Sequence, residues 1–242
     1  MNEFQEVFKR IEKKYLLDEK QYRLFRQKAE EFTIPDKYAE STICNIYFDT
    51  PDRRIIRTSL EKPVYKEKIR LRSYGVPKAD DTVFVELKKK YKGVVYKRRT
   101  DMPLQTAKAF MKGQGGTGKN KQIEMELEWA MKFYQCLEPA MYISYDRTAL
   151  CVKANPDLRI TFDCNILYRE EALELDKGVW GKSLLKEGQR IMEIKIPEAI
   201  PLWLTEILDE LKLYPCSFSK YGTAYQNELK HKDEKGKVNC CA

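Results

Sequence analysis

The stretch "KEKIRLRSYG", residues 66–75, decides the reading of this chain. Every second residue is basic, through Lys66, Lys68, Arg70 and Arg72, and Tyr74 closes the row. Successive side chains of a β-strand point to opposite faces, so one face carries all four cations. Ile69 and Leu71 share the other face with Glu67 and Ser73. Four like charges on one face repel one another, and something must hold them together.

The same alternation recurs in other predicted strands. Arg10, Glu12 and Lys14 fall together. In "TVFVELKKK", Glu86, Lys88 and Lys90 oppose Val83, Val85 and Leu87. Lys97 and Arg99 fall with Asp101, and Tyr145 with Arg147. Arg159 and Asp163 oppose Leu158, Ile160 and Phe162. Glu193 and Lys195 oppose Met192, Ile194 and Ile196. One ordinary reading is an antiparallel sheet with a solvated face. The density of Lys, Arg and Glu and a count of about eight strands point instead to a barrel. With its apolar face outward under helices, such a barrel has a charged lumen. A polyanion threading that lumen would supply the counter-charge, and the few carboxylates could hold a divalent metal.

Strands are predicted at 7–17, 41–49, 64–74, 82–91, 94–102, 140–149, 157–165 and 189–197. Helices are predicted at 18–32, with Asp18 as N-cap, from Pro51 to Leu60, and at 103–112, 121–137 and 201–213. Residues 1–228 read as one domain. Residues 229–242 read as a charged, disordered tail.

Composition narrows the function. Charged residues make up 34% of the 242, and the net charge is +8, which suits an anionic partner. The seven cysteines form no C-x-x-C pair, and His231 is the single histidine, which argues against structural zinc and against a His-based triad. Reduced thiols and a cytoplasmic location are the simplest reading. No apolar run is long enough for a transmembrane helix. No signal peptide is visible at the N-terminus. "GQGGTGKN" (113–120) nearly fits a P-loop, but Asn120 replaces the magnesium-binding hydroxyl and the preceding segment reads as helix. Nucleic acid is not the expected partner, because the basic residues lack an interleaved aromatic platform.

Read in order, "RIEKKY", "YFDT", "KIRLRSYG", "VFVELKKK", "YDRTAL", "RITFD", "MEIKI" and "FSKYG" resemble the successive motifs of the VTC domain. This is the polyphosphate polymerase branch of the triphosphate tunnel metalloenzymes, a CYTH-like superfamily. The resemblance implies an α+β fold, an eight-stranded antiparallel barrel forming a tunnel with helices packed outside. It implies transfer of the γ-phosphoryl of ATP to a growing polyphosphate chain, with manganese or magnesium. Lys14, Arg70, Arg72, Lys88, Arg147 and Lys220 match the family's phosphate-binding bases, and Arg70, Arg72, Lys88 and Arg147 are the expected catalytic set. Tyr145 and Ser219 match polar phosphate contacts, and Lys68, Lys90 and Lys195 join the phosphate-binding row. Glu193 matches the metal carboxylate, with Glu12 as a second candidate. The hydrolase branch opens with Glu-x-Glu-x-Lys, and here Arg10 takes the first position, which favours the polymerase branch. The alternatives are hydrolysis of tripolyphosphate or nucleoside triphosphates, and a polyphosphate binder without turnover. No insertion into a membrane is expected, although a membrane-protein partner is compatible with this reading.

Overall fold

The computed structural model describes residues 11–92, 94–197 and 199–238. Its strands are β1 (Ile11–Leu17), β2 (Thr33–Asp49), β3 (Tyr65–Tyr74), β4 (Thr82–Tyr91), β5 (Val94–Pro103), β6 (Glu138–Val152), β7 (Asn155–Arg169), β8 (Lys182–Ser183) and β9 (Arg190–Ile196). The helices are α1 (Glu19–Ala29), α2 (Arg54–Leu60), α3 (Leu104–Phe110), α4 (Lys121–Tyr134), α5 (Leu202–Glu210) and α6 (Lys220–Val238). The expected α+β class holds. Eight strands follow one hydrogen-bonded path, β1-β9-β7-β6-β2-β3-β4-β5, and the two-residue β8 pairs with β7. The expected barrel is not closed by hydrogen bonds. Closure needs a ladder between the two end strands, and among the described residues β1 pairs with β9 and β5 with β4.

Most predicted elements lie where the sequence places them. Asp18 caps α1: its carboxylate accepts from the Gln21 N–H at 2.7 Å, and the Gln21 side chain accepts from the Asp18 N–H at 3.1 Å. That reciprocal box satisfies two donors which the first helical turn leaves open. The first four residues of the 7–17 strand, and with them Arg10, lie outside the described residues, as do Cys240 and Cys241. The other five cysteines form no disulfide among the described residues. Among the described residues, no helix is long and apolar enough to cross a membrane.

The chain forms two compact units. Among the described residues, the first comprises 11–42, 145–166 and 185–217, and the second 43–144, 167–184 and 218–238. Each has its own core, built from the apolar strand faces. In the first, Tyr15, Leu17, Ile160, Phe162, Met192 and Ile194 pack under Phe25 of α1 and Leu204 and Ile207 of α5. In the second, Ile69, Leu71, Val83, Val85 and Leu87 pack under Ala107 and Phe110 of α3 and Leu127 and Ala130 of α4. The apolar face therefore lies under the helices, as the alternation requires. Burial of this kind is worth about 25 cal/mol per Å² of apolar surface, so it fixes which face of each strand is left for the charges.

The motif "YFDT" has a structural task in the second unit. The fully buried Asp49 accepts from the N–H groups of Thr50 (2.9 Å), Ile55 (2.8 Å) and Ile56 (3.0 Å), and from the Tyr221 hydroxyl (2.9 Å). One carboxylate thus caps α2 and ties α6 to the end of β2. Asp49→Ala leaves these donors buried without an acceptor. Urea denaturation should show a loss on the order of 3 kcal/mol or more.

Candidate polyanion site

Cross-strand register builds the charged face of the second unit in rows. Tyr47, Arg70, Glu86 and Arg99 stand opposite one another along β2, β3, β4 and β5, and Asn45, Arg72, Phe84 and Asp101 form the next row. Lys68, Lys88 and Lys97 form a third, and Lys66 faces Lys90. Directly opposite residues share a face and lie close enough to interact.

Glu86 is the counter-charge at the centre of this face, and it is 1% exposed. Arg70 donates to its Oε2 through Nε at 2.7 Å and approaches it with Nη2 at 2.6 Å. Its Oε1 lies 2.7 Å from Lys97 Nζ, 3.8 Å from Arg72 Nη1 and 3.9 Å from Arg99 Nε. Burial works against the charge on Glu86, yet Arg70, Arg72 and Lys97 hold its carboxyl far below the usual carboxylate range. Burial pushes the Lys97 ammonium down to about 8, with Glu86 opposing. Arg72 Nε donates to Asn45 Oδ1 at 3.0 Å, and Arg70 Nη1 to the Tyr47 hydroxyl at 3.1 Å.

The start of α6 adjoins the same face. Lys68 Nζ donates to Ser219 Oγ at 2.7 Å, and Ser219 Oγ also accepts from the Gly222 N–H at 3.1 Å. Lys220 follows, half-buried, at the first position of the helix. A helix N-terminus carries partial positive charge and favours an anion. Tyr221 stacks on Tyr47 with ring centroids 4.9 Å apart. A side chain at Gly222 would press on Leu60 Cδ2 at 3.0 Å, so glycine lets α6 lie close. "FSKYG" is thus a cap, a base, a ring and a close approach in succession.

The first unit carries the remaining candidates. Lys14 faces Glu193 across β1 and β9, with Nζ 3.8 Å from Oε2. Lys195 Nζ lies 3.6 Å from the other oxygen of Glu193, and Glu12, exposed, stands opposite Lys195. Arg147 grips the fully buried Asp163 with both arms, Nε to Oδ1 at 2.6 Å and Nη2 to Oδ2 at 2.8 Å. Its guanidinium lies 5.2 Å from the ring centroid of the buried Tyr145. Burial opposes its charge, but Tyr145, Asp163 and Glu193 outweigh that and hold its proton more tightly than usual.

The metal that the family fold implies can be tested against these donors. Among the described residues, no three acidic, histidine or cysteine side chains converge. Glu193 is half-buried, and its register neighbour Thr161 has a buried hydroxyl with no hydrogen-bond partner among the described residues. A carboxylate with an adjacent free hydroxyl fits a hard cation that takes its other oxygens from phosphates and water.

The structure therefore brings Arg70, Arg72, Lys68, Lys88, Lys90, Ser219 and Lys220 onto one unit. It brings Lys14, Tyr145, Arg147, Glu193, Lys195 and Glu12 onto the other. Sequence reasoning did not single out Tyr47, Asn45 or Asp163 as parts of the site. The first two alternate along β2 in "CNIYFD", so the pleat rule applied there would have found them. The P-loop look-alike is occupied internally. The Thr117 hydroxyl and the Gly118 N–H donate to the two oxygens of Glu124, at 2.8 and 2.9 Å. A Cβ at Gly116 would lie 2.3 Å from that carboxylate.

A buried carboxylate ringed by three arginines and a lysine thus lies on a sheet face backed by helices. A model of the VTC domain matches residues 9–228, and the chain belongs to that family. No curated protein matches it in sequence. A structure described as that of a candidate adenylate cyclase from Bacillus halodurans is similar, with a TM-score of 0.54, 12% identity, and coverage of 86% of this chain and 92% of that one. So is a candidate adenylyl cyclase from Hippeastrum, described as having a dominant triphosphatase activity, with a TM-score of 0.50, 13% identity, and coverage of 90% and 96%. At such identities the likeness is one of fold.

Tyr47 offers a direct probe of the cations. Burial raises its pKa, but Arg70, Lys68 and Arg72 outweigh burial and bring it down to about 8. The folded state therefore favours the phenolate. It gains stability between pH 8 and the ordinary tyrosine value of about 10, and gains none from this group below 8. Ultraviolet titration should show one tyrosine ionising near 8 that is missing in Tyr47→Phe. Added inorganic tripolyphosphate should move it upward by cancelling the cations. A titration with no tyrosine below about 10 contradicts this.

Proposed function

We propose that this chain is a polyphosphate polymerase, transferring the γ-phosphoryl of ATP to a growing inorganic polyphosphate chain in the basic tunnel of its family. The observation that carries the reading is the convergence of Arg70, Arg72, Lys97 and Arg99 on the single carboxylate of Glu86. That face retains a surplus of positive charge, and a chain of phosphates is the ligand that matches a surplus repeated at the strand period.

Phosphoryl transfer needs in-line positioning and cancellation of charge on phosphate oxygens. A terminal oxygen of the acceptor chain attacks the γ-phosphorus. A new P–O–P link forms, the bond to the β-phosphate oxygen breaks, and ADP leaves with the electron pair. No water is consumed and no protein nucleophile is required. Arg70 and Arg72, fixed by Glu86, Tyr47 and Asn45, offer planar donors to the equatorial oxygens. Lys68, Lys88 and Lys220 hold the flanking phosphates. Lys14, Lys195 and Arg147 are the phosphate-binding bases of the first unit, with Tyr145 as a polar contact. Glu193, with Thr161 and Glu12, would hold a divalent metal. When bound, such a metal would neutralise charge on phosphate oxygens and so make the phosphorus that carries them a better electrophile.

Incubation with ATP and manganese, with products resolved on a gel stained for polyphosphate, tests the reading. Long chains are expected, and free phosphate alone contradicts it. Arg72→Ala should lower the rate about 10²–10³-fold at any salt, the scale of losing one preorganised donor. Arg72→Lys should remain badly impaired, because the charge stays and the fork is lost. Glu193→Gln should abolish metal-dependent turnover. Near wild-type rates in that variant withdraw its role as metal ligand.

A further inference from the structure

The cationic row of β3 does not end in a cation. Tyr74 follows Arg70 and Arg72 on the same face and is 52% exposed. It meets Phe84 of β4 edge to face, with ring centroids 5.8 Å apart. Phe84 stands directly across from Arg72 in the register. The Arg99 guanidinium lies 3.4 Å from the Phe84 ring centroid, while its Nε lies 3.9 Å from Glu86 Oε1. The arginine that helps to neutralise the central carboxylate thus also floors an aromatic platform. The motif "RLRSYG" places two phosphate grips and one open ring at successive pleats of one strand.

From these contacts we infer that Tyr74, supported by Phe84 and Arg99, is the subsite for the base of a nucleoside triphosphate. The proposal rests on the reading of the neighbouring cations as a phosphate site. An exposed tyrosine ring held in a perpendicular contact with Phe84 presents a flat apolar surface, and a nucleobase stacks on such a ring whatever its hydrogen-bonding pattern. Spacing supports this assignment. Tyr74 lies two residues beyond Arg72, roughly 6.6 Å along the strand, a distance that a ribose can bridge between a base and its first phosphate. The triphosphate then runs back over Arg72 and Arg70 toward Lys68, Ser219 and the start of α6. This fixes a direction: the nucleotide sits at the Tyr74 end of the row, and the inorganic chain lies toward Lys66 and Lys90. The sequence alone shows no aromatic platform among these bases. Phe84 comes from a different strand, and only the β3–β4 register brings it beside Tyr74.

Equilibrium binding of ATP and of inorganic tripolyphosphate, measured calorimetrically without added metal, tests the subsite independently of turnover. Tyr74→Ala should weaken ATP by roughly 5- to 150-fold, the range of one base–aromatic stack, and leave tripolyphosphate unchanged. Tyr74→Trp should keep ATP affinity. GTP should behave as ATP does, because stacking does not read base edges. Equal weakening of ATP and tripolyphosphate in Tyr74→Ala, or no weakening of either, overturns the base subsite while the phosphate site stands. Failure of the wild-type protein to bind either ligand overturns both.

Discussion

The charged face of the second unit depends on one buried carboxylate, that of Glu86. Glu86 holds Arg70, Arg72, Lys97 and Arg99 within 4 Å of its oxygens while almost wholly shielded from water. Like charges about 7 Å apart in a medium of effective dielectric near 20 repel by about 2 kcal/mol per pair. One negative charge cannot cancel four positive ones. The face is therefore assembled with a net positive charge. This is the physical content of the alternating bases in "KEKIRLRSYG": the opposite apolar face is packed under α3 and α4, so the bases share the other face, and Glu86 holds them there.

The same logic runs through the first unit on a smaller scale. Asp163 anchors Arg147, and Glu193 lies between Lys14 and Lys195. The two carboxylates differ in availability. Asp163 is fully buried and bound by both arms of Arg147, whereas Glu193 is half-buried, with Lys14 and Lys195 at longer range and the Thr161 hydroxyl on the facing strand.

Much of this was legible in the sequence, because strand alternation is a local signal written residue by residue. It separated Arg70 and Arg72 from Ile69 and Leu71, and the Asp18 cap marked the start of α1. Three features were not legible. The first part of β2, "TIPDKYAE", shows no apolar alternation, so its place in the sheet depends on neighbours distant in sequence. Helix α6 buries Tyr221, Ala224 and Glu228, and a glutamate in that stripe, paired with Lys182 at 2.6 Å, hides the periodicity. The mutual fit of Tyr47, Asn45, Glu86 and Phe84 with the arginines depends on cross-strand register, which no single strand encodes.

The central claim is that Glu86 stands in for part of the charge a polyanion supplies. Thermal and urea unfolding of Glu86→Gln, with and without inorganic tripolyphosphate, tests it most directly. Removing the buried carboxylate from among its four cations should cost about 3–5 kcal/mol. Tripolyphosphate should then stabilise the variant by more than it stabilises the wild-type protein. A variant as stable as wild type, or one that responds to tripolyphosphate no more strongly, would contradict the account.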